Sequence, residues 1–293
     1  MKILVLFLML LILAGGACTE TTDSVPTGSL SRIATLPGAL KESSALSYTP
    51  QGLFTLSDNS RPEFFRLDTA SGKIIQTIVI RTIDFVDKEA LAFDGTHFYI
   101  GDFGNNLSLR NNLKIVKVDA RQLTQQDEVF VEGQVITFHY PEQGLLDEEN
   151  AFDCEAMVVA ADSIYLFTKQ RSDHQTTLYA LPKEPGTYAA SRKAVFDAQG
   201  RITGAALSPD AKTLLLLGYQ QNHQFPFLWK FTDFEGHDFF AGQAQYQQLI
   251  SEPLNWQTEG IAFSNHRRIY VSCETTPQVQ AALFEGNLEE IFP

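Results

Sequence analysis

The sequence is poor in sulfur and in tryptophan, with three cysteines, three methionines and two tryptophans among 293 residues. The cysteines are Cys18, Cys154 and Cys273. They are too few and too widely spaced for a disulfide scaffold. Cys154 and Cys273 could form one bridge or remain separate buried thiols, because a bridge requires Cα atoms within about 7 Å of each other.

Positive charge is also scarce, since 22 Lys and Arg residues face 35 Asp and Glu residues and the net charge is −13. Such a chain is repelled by phosphate backbones and by anionic lipid headgroups, so we expect neither nucleic acid nor a bare lipid surface as a partner. The sequence has no Gly-x-Ser-x-Gly elbow, no His-Glu-x-x-His pair, no phosphate-binding glycine loop and no Cys-x-x-Cys pair. Any chemistry must therefore come from residues that the fold brings together.

Long apolar runs are limited to Ile3–Leu13, which is too short to span a bilayer. It follows Lys2 and precedes the small residues of 14–17 and Cys18. This pattern resembles a bacterial lipoprotein signal in which the cysteine is lipidated, although Gly15 stands where the family pattern prefers leucine. We therefore expect a signal peptide over 1–18, a polar tether over 19–29 and a single domain over 30–293.

The same resemblance implies a location in the cell envelope, with the chain touching the membrane only through a lipid on Cys18. Thr19 after the cysteine favours the outer membrane. Ordinary secretion, giving a secreted or periplasmic protein without lipid, is the alternative.

Helical periodicity is scarce, and the feature that recurs is a pair of short strands joined by turn residues. In Glu89–Phe93 and Phe98–Gly101 the turn is Asp94-Gly95, a strong hairpin signal. Five such pairs occur, and they open at Glu42, Glu89, Glu155, Thr203 and Glu259. A third strand follows each pair, and a fourth strand follows in four cases. Four antiparallel strands in a repeat of about 50 residues are typical of a propeller blade.

The sequence thus predicts an all-β protein, a β-propeller of five four-stranded blades. Six blades are the alternative, if another lies in the long interval 107–153. The fifth repeat has room for three strands, and Leu30–Leu36 is an unassigned strand. We expect this N-terminal strand to complete the last blade, because that closes the ring and removes a free sheet edge.

The repeats also predict a shared acidic site. In an antiparallel pair, the start of one strand and the end of the next lie at the same edge. The opening positions and the ends of the second strands should therefore share one face. The second strands end at Asp58, Asp102, Lys169, Tyr219 and Glu274. Seven carboxylates and one lysine would then surround one mouth of the channel.

So many carboxylates stay ionised only beside cations. One arrangement is a Ca²⁺ ion held by Glu89, Glu155 and Glu259. A second is internal pairing with Lys169, Arg110 or Arg171, and a third is a cationic ligand. The structural alternative is that each glutamate caps backbone N–H groups. The uneven fourth repeat, with Thr203 and Tyr219 in place of acids, favours a functional interpretation.

The position of other residues at the acidic face predicts catalytic and ligand-binding roles for them. Lys169 and Arg110 could stabilise a developing anion, and His174 is the candidate base, with a solvated loop histidine as the alternative. The predicted ligand-binding residues are Glu42, Asp58, Asp102, Asn106, Glu274 and Tyr219.

Several signatures together resemble a group of secreted bacterial β-propeller proteins, usually uncharacterised lipoproteins. They are Gly101–Asn106 with Arg110, Asp153–Met157 with Thr168-Lys169, Thr203–Asp210, and Glu259–Phe263. The group is loosely similar to NHL-repeat, SdiA-regulated and esterase-like or phytase-like propellers, and it covers most of residues 40–280. The resemblance supplies no settled activity.

We therefore expect an envelope-anchored propeller that binds a small ligand or a divalent cation at the acidic mouth. A metal-assisted hydrolase acting on an ester, lactone or phosphoester is one form of this function. The alternative is a non-catalytic module that recognises an envelope protein or polymer. The chain is expected to be a monomer.

Overall fold

The computed structural model describes residues 28–144, 152–170, 172–220, 225–250 and 256–293. The predicted signal peptide, the lipidation site Cys18, most of the tether and Arg171 lie outside these ranges. Within them, no helix has the length and apolar character needed to cross a membrane.

The described chain is almost entirely β-structure, and its strand pairings form five four-stranded antiparallel units. Two strands precede the first unit, β1 (Gly28–Ser29) and β2 (Ser31–Thr35). The first unit consists of β3 (Ser43–Thr49), β4 (Gly52–Ser57), β5 (Glu63–Leu67) and β6 (Ile74–Arg81). The second unit consists of β7 (Lys88–Phe93), β8 (His97–Asp102), β9 (Lys114–Asp119) and β10 (Glu128–His139).

The other three units repeat this order. The third contains β11 (Cys154–Ala160), β12 (Ser163–Thr168) and β13 (Gln175–Pro182), then, after the short β14 (Gly186–Ala189), the outer strand β15 (Ser191–Asp197). The fourth contains β16 (Arg201–Leu207), β17 (Leu214–Tyr219), β18 (Pro226–Thr232) and β19 (Gln243–Ile250). The fifth contains β20 (Thr258–Phe263), β21 (Arg268–Cys273), β22 (Ala282–Asn287) and β2, followed by the helix α1 (Leu288–Ile291).

The first strands of the units form a closed ring. β3, β7, β11, β16 and β20 contact one another in that order, and β20 contacts β3 again. Each lies at the free edge of its sheet, facing the central channel. This arrangement confirms the predicted all-β propeller. The predicted closure is also confirmed, because β2 from the N-terminal region pairs with β22.

Apolar contacts between neighbouring units hold the ring together. The small side chains of one inner strand meet the large side chains of the next, as when Ala90 and Ala92 of β7 pack with Met157 of β11. In the same way Ala45 packs with Leu91. Alternation along the inner strands thus places one small and one large face in each contact.

Some pairings have no counterpart in the repeats. The twelve-residue β10 pairs in parallel with β6 through Glu128–Glu132 and antiparallel with β9 through Gly133–Thr137. Its end also pairs in parallel with β14 of the third unit. One strand therefore connects three units. Gly28–Ser29, the end of the predicted tether, pairs in parallel with β19 of the fourth unit. Cys154 and Cys273 are free, buried thiols.

Candidate functional site

Each inner hairpin carries a one-residue β-bulge near its first pair. In the second unit Lys88 pairs with Asp102, but Ala90 pairs with Gly101, which leaves Glu89 as the bulged residue. The corresponding residues in the five units are Ser44, Glu89, Glu155, Thr203 and Glu259. Bulges redirect side chains at strand ends. Three glutamates thus point into the same mouth of the channel.

This register differs from the sequence alignment in the first unit. The alignment makes Glu42 equivalent to Glu89, whereas the structure places Ser44 there. Glu42 lies two residues earlier, at the rim, where its carboxylate is 3.2 Å from Lys41 Nζ. The negative charge of Glu42 contributes to raising the pKa values of Asp58 and Glu274, so Glu42 still belongs to the acidic side.

The second difference concerns Asp102, which the alignment places with Asp58, Lys169, Tyr219 and Glu274. Phe103 occupies that position instead, and a shift of one residue turns Asp102 to the other face. There its carboxylate accepts from the Asp87 N–H at 2.9 Å and pairs with Arg110 at 2.9 Å and with Lys114 at 2.5 Å. Asp102 and Arg110 therefore form an internal anchor beside the mouth rather than part of its lining.

The floor of the mouth is a buried cluster of three glutamates around one lysine. Glu89, Glu155 and Glu259 are 5%, 5% and 4% exposed, and Lys169 is 4% exposed. The Lys169 ammonium contacts the Glu155 carboxylate directly. It also lies 5.4 Å from the ring centroid of Tyr219 in the next unit. Glu259 Oε1 is buried without a hydrogen-bond partner among the described residues.

No contact among the described residues supports the alternative that the glutamates cap backbone N–H groups. In the part of the chain that the structure describes, no backbone N–H donates to the side chains of Glu89, Glu155 or Glu259. The hydroxyls at this position in the first and fourth units do contact the backbone, but as donors: Ser44 Oγ donates to the carbonyl of Lys88 at 2.9 Å and Thr203 Oγ1 to the carbonyl of Thr258 at 2.7 Å. The three glutamates are thus not held there by backbone hydrogen bonds.

A second group of acids lies beside Glu89. Oxygen atoms of Asp58, Asp87 and Glu89 all lie within 4.8 Å of one another. Gly104 closes this group on one side, because a Cβ there would lie 2.3 Å from Asp87 Oδ2 and 2.6 Å from Glu89 Oε1. Sequence reasoning missed Asp87 and Gly104. The signal for Asp87 was its position two residues before Glu89, immediately ahead of β7.

Burial and mutual repulsion raise the pKa values of four carboxyl groups at the acidic mouth. Burial raises the pKa of Asp58 to about 8, and its contact with Asp87 adds to the shift. Burial likewise raises the pKa of Glu259 and of Glu274 to about 8. Burial and the neighbouring acids raise the pKa of Glu89 well above its usual value. A cation entering the mouth would therefore displace protons.

The pKa of Lys169 is also raised, and for a lysine this keeps the ammonium charged. Burial alone would lower its pKa, but the carboxyl groups of Glu155 and Glu259 outweigh burial and raise it. The pKa of Glu155 is raised by burial, an effect that Lys169 opposes. The floor thus contains a fixed ammonium and more acid than that ammonium can neutralise.

Buried polar contacts fix the loops that carry these acids. Lys88 Nζ is inserted between two units, where it donates to the carbonyls of Arg61 at 2.7 Å and Glu63 at 3.1 Å. It holds the loop that begins at Asp58. On the other side the Asn105 N–H donates to Asp153 Oδ1 at 2.8 Å, which ties the loop after Gly104 to the third unit.

The other predicted site residues occupy different surroundings. Glu274 follows β21 at the half-buried rim, where its N–H donates to the carbonyl of Gln257. Asn106 is exposed on the loop after Asn105. His174 precedes β13, its carbonyl accepts from the Ala198 N–H, and its Nδ1 is buried without a hydrogen-bond partner among the described residues. These contacts tie His174 to the outer strands of the third unit.

Comparison with known proteins gives similarity of fold alone. No family model matches the sequence, and no curated protein matches it. Among solved structures, hydrazine synthase of Kuenenia stuttgartiensis matches 83% of this chain at 13% identity and a TM-score of 0.41, and the chain spans 58% of that protein's chain. Glutaminyl cyclase of Myxococcus xanthus matches 90% of this chain and 99% of its own, at 8% identity and a TM-score of 0.49.

The periplasmic gluconolactonase of Pseudomonas aeruginosa matches 83% of this chain and 85% of its own, at 15% identity and a TM-score of 0.39. Similarities of this size carry no argument about activity or ligand. The residues of the acidic mouth are the basis for its function.

Proposed function

We propose that the acidic mouth binds a divalent cation, with Ca²⁺ as the expected ion, on Asp58, Asp87 and Glu89. The observation that carries the proposal is the convergence of their carboxylate oxygens within 4.8 Å of one another. Sequence reasoning placed the ion on Glu89, Glu155 and Glu259. The geometry favours a shift toward the first unit, because Lys169 already occupies the space beside Glu155.

The donor set suits a hard cation. Ca²⁺ takes six to eight oxygen ligands at about 2.3–2.6 Å in flexible geometry, whereas Mg²⁺ requires near-octahedral coordination. Three carboxylates leave coordination positions for water and for oxygen atoms of a ligand.

A bound cation would give the mouth a small-molecule function. Its open positions would accept a carbonyl, carboxylate or phosphate oxygen, and polarisation of that oxygen is the basis of metal-assisted hydrolysis of esters, lactones or phosphoesters. The side chains that the structure describes at the mouth favour ligand binding over catalysis. Lys169 is engaged by Glu155, and Arg110 is engaged by Asp102, so neither is placed to stabilise a developing anion.

Recognition of an envelope protein is the second candidate function, and one observation favours it. Leu107 and Leu109 are 73% and 79% exposed on the loop between Asn105 and Arg110, at the rim of the mouth. Two leucines in solvent on an anchored loop are typical of a contact surface. A Leu107→Ser, Leu109→Ser variant should lose a cross-linked envelope partner while cation binding remains unchanged.

Attachment to the envelope through Cys18 belongs to the same proposal. A Cys18→Ala variant should move from the membrane fraction to the soluble fraction and lose incorporation of labelled fatty acid. If the wild-type protein is soluble and unlabelled, attachment through Cys18 is wrong.

Calorimetric titration of the purified protein with CaCl₂ tests the cation site. A cation at 100 times its dissociation constant should stabilise the folded protein by about 2.7 kcal/mol, measured as a higher melting temperature. Glu89→Gln should abolish both the heat and the shift, and Glu128→Gln, an exposed matched control, should retain them. Absence of heat and of any shift with Ca²⁺, Mg²⁺, Mn²⁺ and Zn²⁺ would refute the proposal.

A further inference from the structure

The mouth of the channel opposite the acidic cluster is a separate cavity of about 430 Å³. It lies at the far ends of the inner strands, beyond a constriction of about 10 Å³. A passage of that size holds about one water molecule. The two mouths therefore do not exchange larger molecules, and each has its own chemistry.

Most side chains of this second mouth are apolar, while Ser47, Asp94, Ser208 and His237 are polar and the backbone adds further polar surface. Two rings of inner-strand residues form its wall. The inner ring contains Leu46, Leu91, Met157, Ala205 and Ile261, and the outer ring contains Tyr48, Phe93, Val159, Leu207 and Phe263. A cavity of 300–1,000 Å³ with apolar walls and a few polar groups is typical of a small-molecule site.

The acidic and basic side chains that line the second mouth are Asp94 and His237, and the His237 ring packs against Tyr165 and Phe239. Asp94 is the carboxylate in the lining, and its oxygens are already saturated. They accept from Thr96, from the His97 N–H at 2.8 Å, from Tyr99 Oη at 3.0 Å and from Lys183 Nζ at 3.2 Å. A cationic ligand would lose water here without gaining a free carboxylate.

Hydrogen-bonding groups are nevertheless present. The five inner strands are the free edges of their sheets, and an edge strand presents unpaired backbone N–H and C=O groups. Uncharged amide or hydroxyl groups of a ligand can pair with them. A second cavity of about 450 Å³ adjoins the first and shares Pro50, Phe93 and Gly95 with it, which gives room for a longer molecule.

The free space at the centre of the second mouth depends on one residue, Ala205. At its position in the inner ring the other four units carry large side chains, and the fourth unit carries the half-buried Ala205. A methionine at 205 would repeat the residue of the third unit at the same position, Met157. Because Ala205 packs in the same cluster as Ala156 and Val158 of the third unit, a methionine there would fill the gap between these units and narrow the cavity from that side.

From these observations we infer that the second mouth binds an uncharged, largely apolar small molecule with a few hydrogen-bonding groups. The site is independent of the acidic mouth and of its cation. Ala205 determines the size of the ligand, and the backbone edges of the inner strands contact its polar groups.

Fluorescence titration with N-phenyl-1-naphthylamine, a neutral aromatic probe, tests this site. The probe should show saturable enhancement with the same dissociation constant in calcium and in chelator. Ala205→Met should weaken binding at least about tenfold, a difference of about 1.4 kcal/mol. Ala70→Met, an exposed matched control, should bind as the wild type does.

Leu207→Glu provides a second variant at a half-buried rim position, where a charge should weaken binding of the neutral probe without disturbing the core. The inference is overturned if the wild type shows no saturable enhancement. It is also overturned if folded Ala205→Met or Leu207→Glu protein binds as the wild type does, or if chelator abolishes binding.

Discussion

Lys169 and Glu155 form a buried ion pair at the floor of the acidic mouth, with side chains 5% and 6% exposed. Glu155 comes from the bulge of β11, and Lys169 follows the neighbouring strand β12. The same ammonium also faces Glu259 and Glu89. One fixed positive charge thus lies beside three buried carboxyl groups. The proposed cation would supply part of the positive charge that these groups still lack.

Replacement of Lys169 by methionine should destabilise the protein strongly in the absence of divalent ions. Removing one partner of a buried ion pair leaves the other charge uncompensated, which costs about 3–5 kcal/mol. Urea unfolding in chelator measures the loss. Lys212→Met is the matched control, because Lys212 is exposed and its removal should cost less than about 0.5 kcal/mol. Equal stability of the two variants would show that Lys169 does not hold the cluster together.

The free energy of unfolding should fall as pH rises from about 5 to 8 in chelator, by about 3–4 kcal/mol for each carboxyl group whose folded pKa is near 8. Burial raises the pKa values of Asp58, Glu259 and Glu274 to about 8. An unfolded carboxyl group titrates near pH 4. Between these values the folded protein binds protons that the unfolded chain has lost, so stability decreases as the protons leave.

Saturating Ca²⁺ should flatten this dependence, because the ion replaces the protons. Glu274→Gln should reduce the slope, because glutamine resembles the protonated acid. The measurement stops at pH 8, since burial lowers the pKa of Lys88 to about 8 and its titration acts in the opposite direction at higher pH. Stability that is constant or rises over this range in chelator would contradict the assignment of these pKa shifts.

Asp102→Ala should cost about 3–5 kcal/mol of stability, because it leaves buried partners unpaired. The carboxylate is fully buried and contacts Arg110, Lys114 and the Asp87 N–H. The matched exposed pair is Asp119 with Arg121, 2.6 Å apart, and Asp119→Ala should cost about 1 kcal/mol. Chemical denaturation of both variants gives the comparison. Similar losses of stability in the two variants would mean that Asp102 does not anchor Arg110 and Lys114.

Gly104→Ala should weaken binding of Ca²⁺ at least about tenfold, a loss of about 1.4 kcal/mol. The added Cβ would collide with Asp87 and Glu89, and these carboxylates would have to move apart. Calorimetric titration measures the change. Gly38→Ala is the control, because no atom lies within 4 Å of the position of its Cβ. Unchanged affinity in Gly104→Ala would place the ion elsewhere.

The fold was predictable because each inner hairpin is an apolar pair bounded by turn residues. These features are local, so a single sequence shows them. The closure by β2 followed from counting strands in the fifth repeat. The pairings of β1 and β14 were missed, because strands of two and four residues carry no usable periodicity.

The site was predictable in part. Glu89, Glu155 and Glu259 share a bulged position, so the repeats identify them together. Asp102 was misplaced because the alignment matched its acid to Asp58 and Glu274, although the second strand then spans five residues from Phe98 and the other four span six. Asp87 was missed because the alignment followed one position in each unit. Asp58, which completes the site with Asp87 and Glu89, comes from the preceding unit, and only the fold brings it alongside them.

The most direct test of the proposed cation site is a crystal structure of the protein grown with MnCl₂ or CaCl₂, with anomalous data collected for the manganese crystal. The account predicts a cation peak about 2.3–2.6 Å from the carboxylate oxygens of Asp58, Asp87 and Glu89 for Ca²⁺. A mouth without a cation peak at saturating metal, or a peak bound only by other residues, would contradict it.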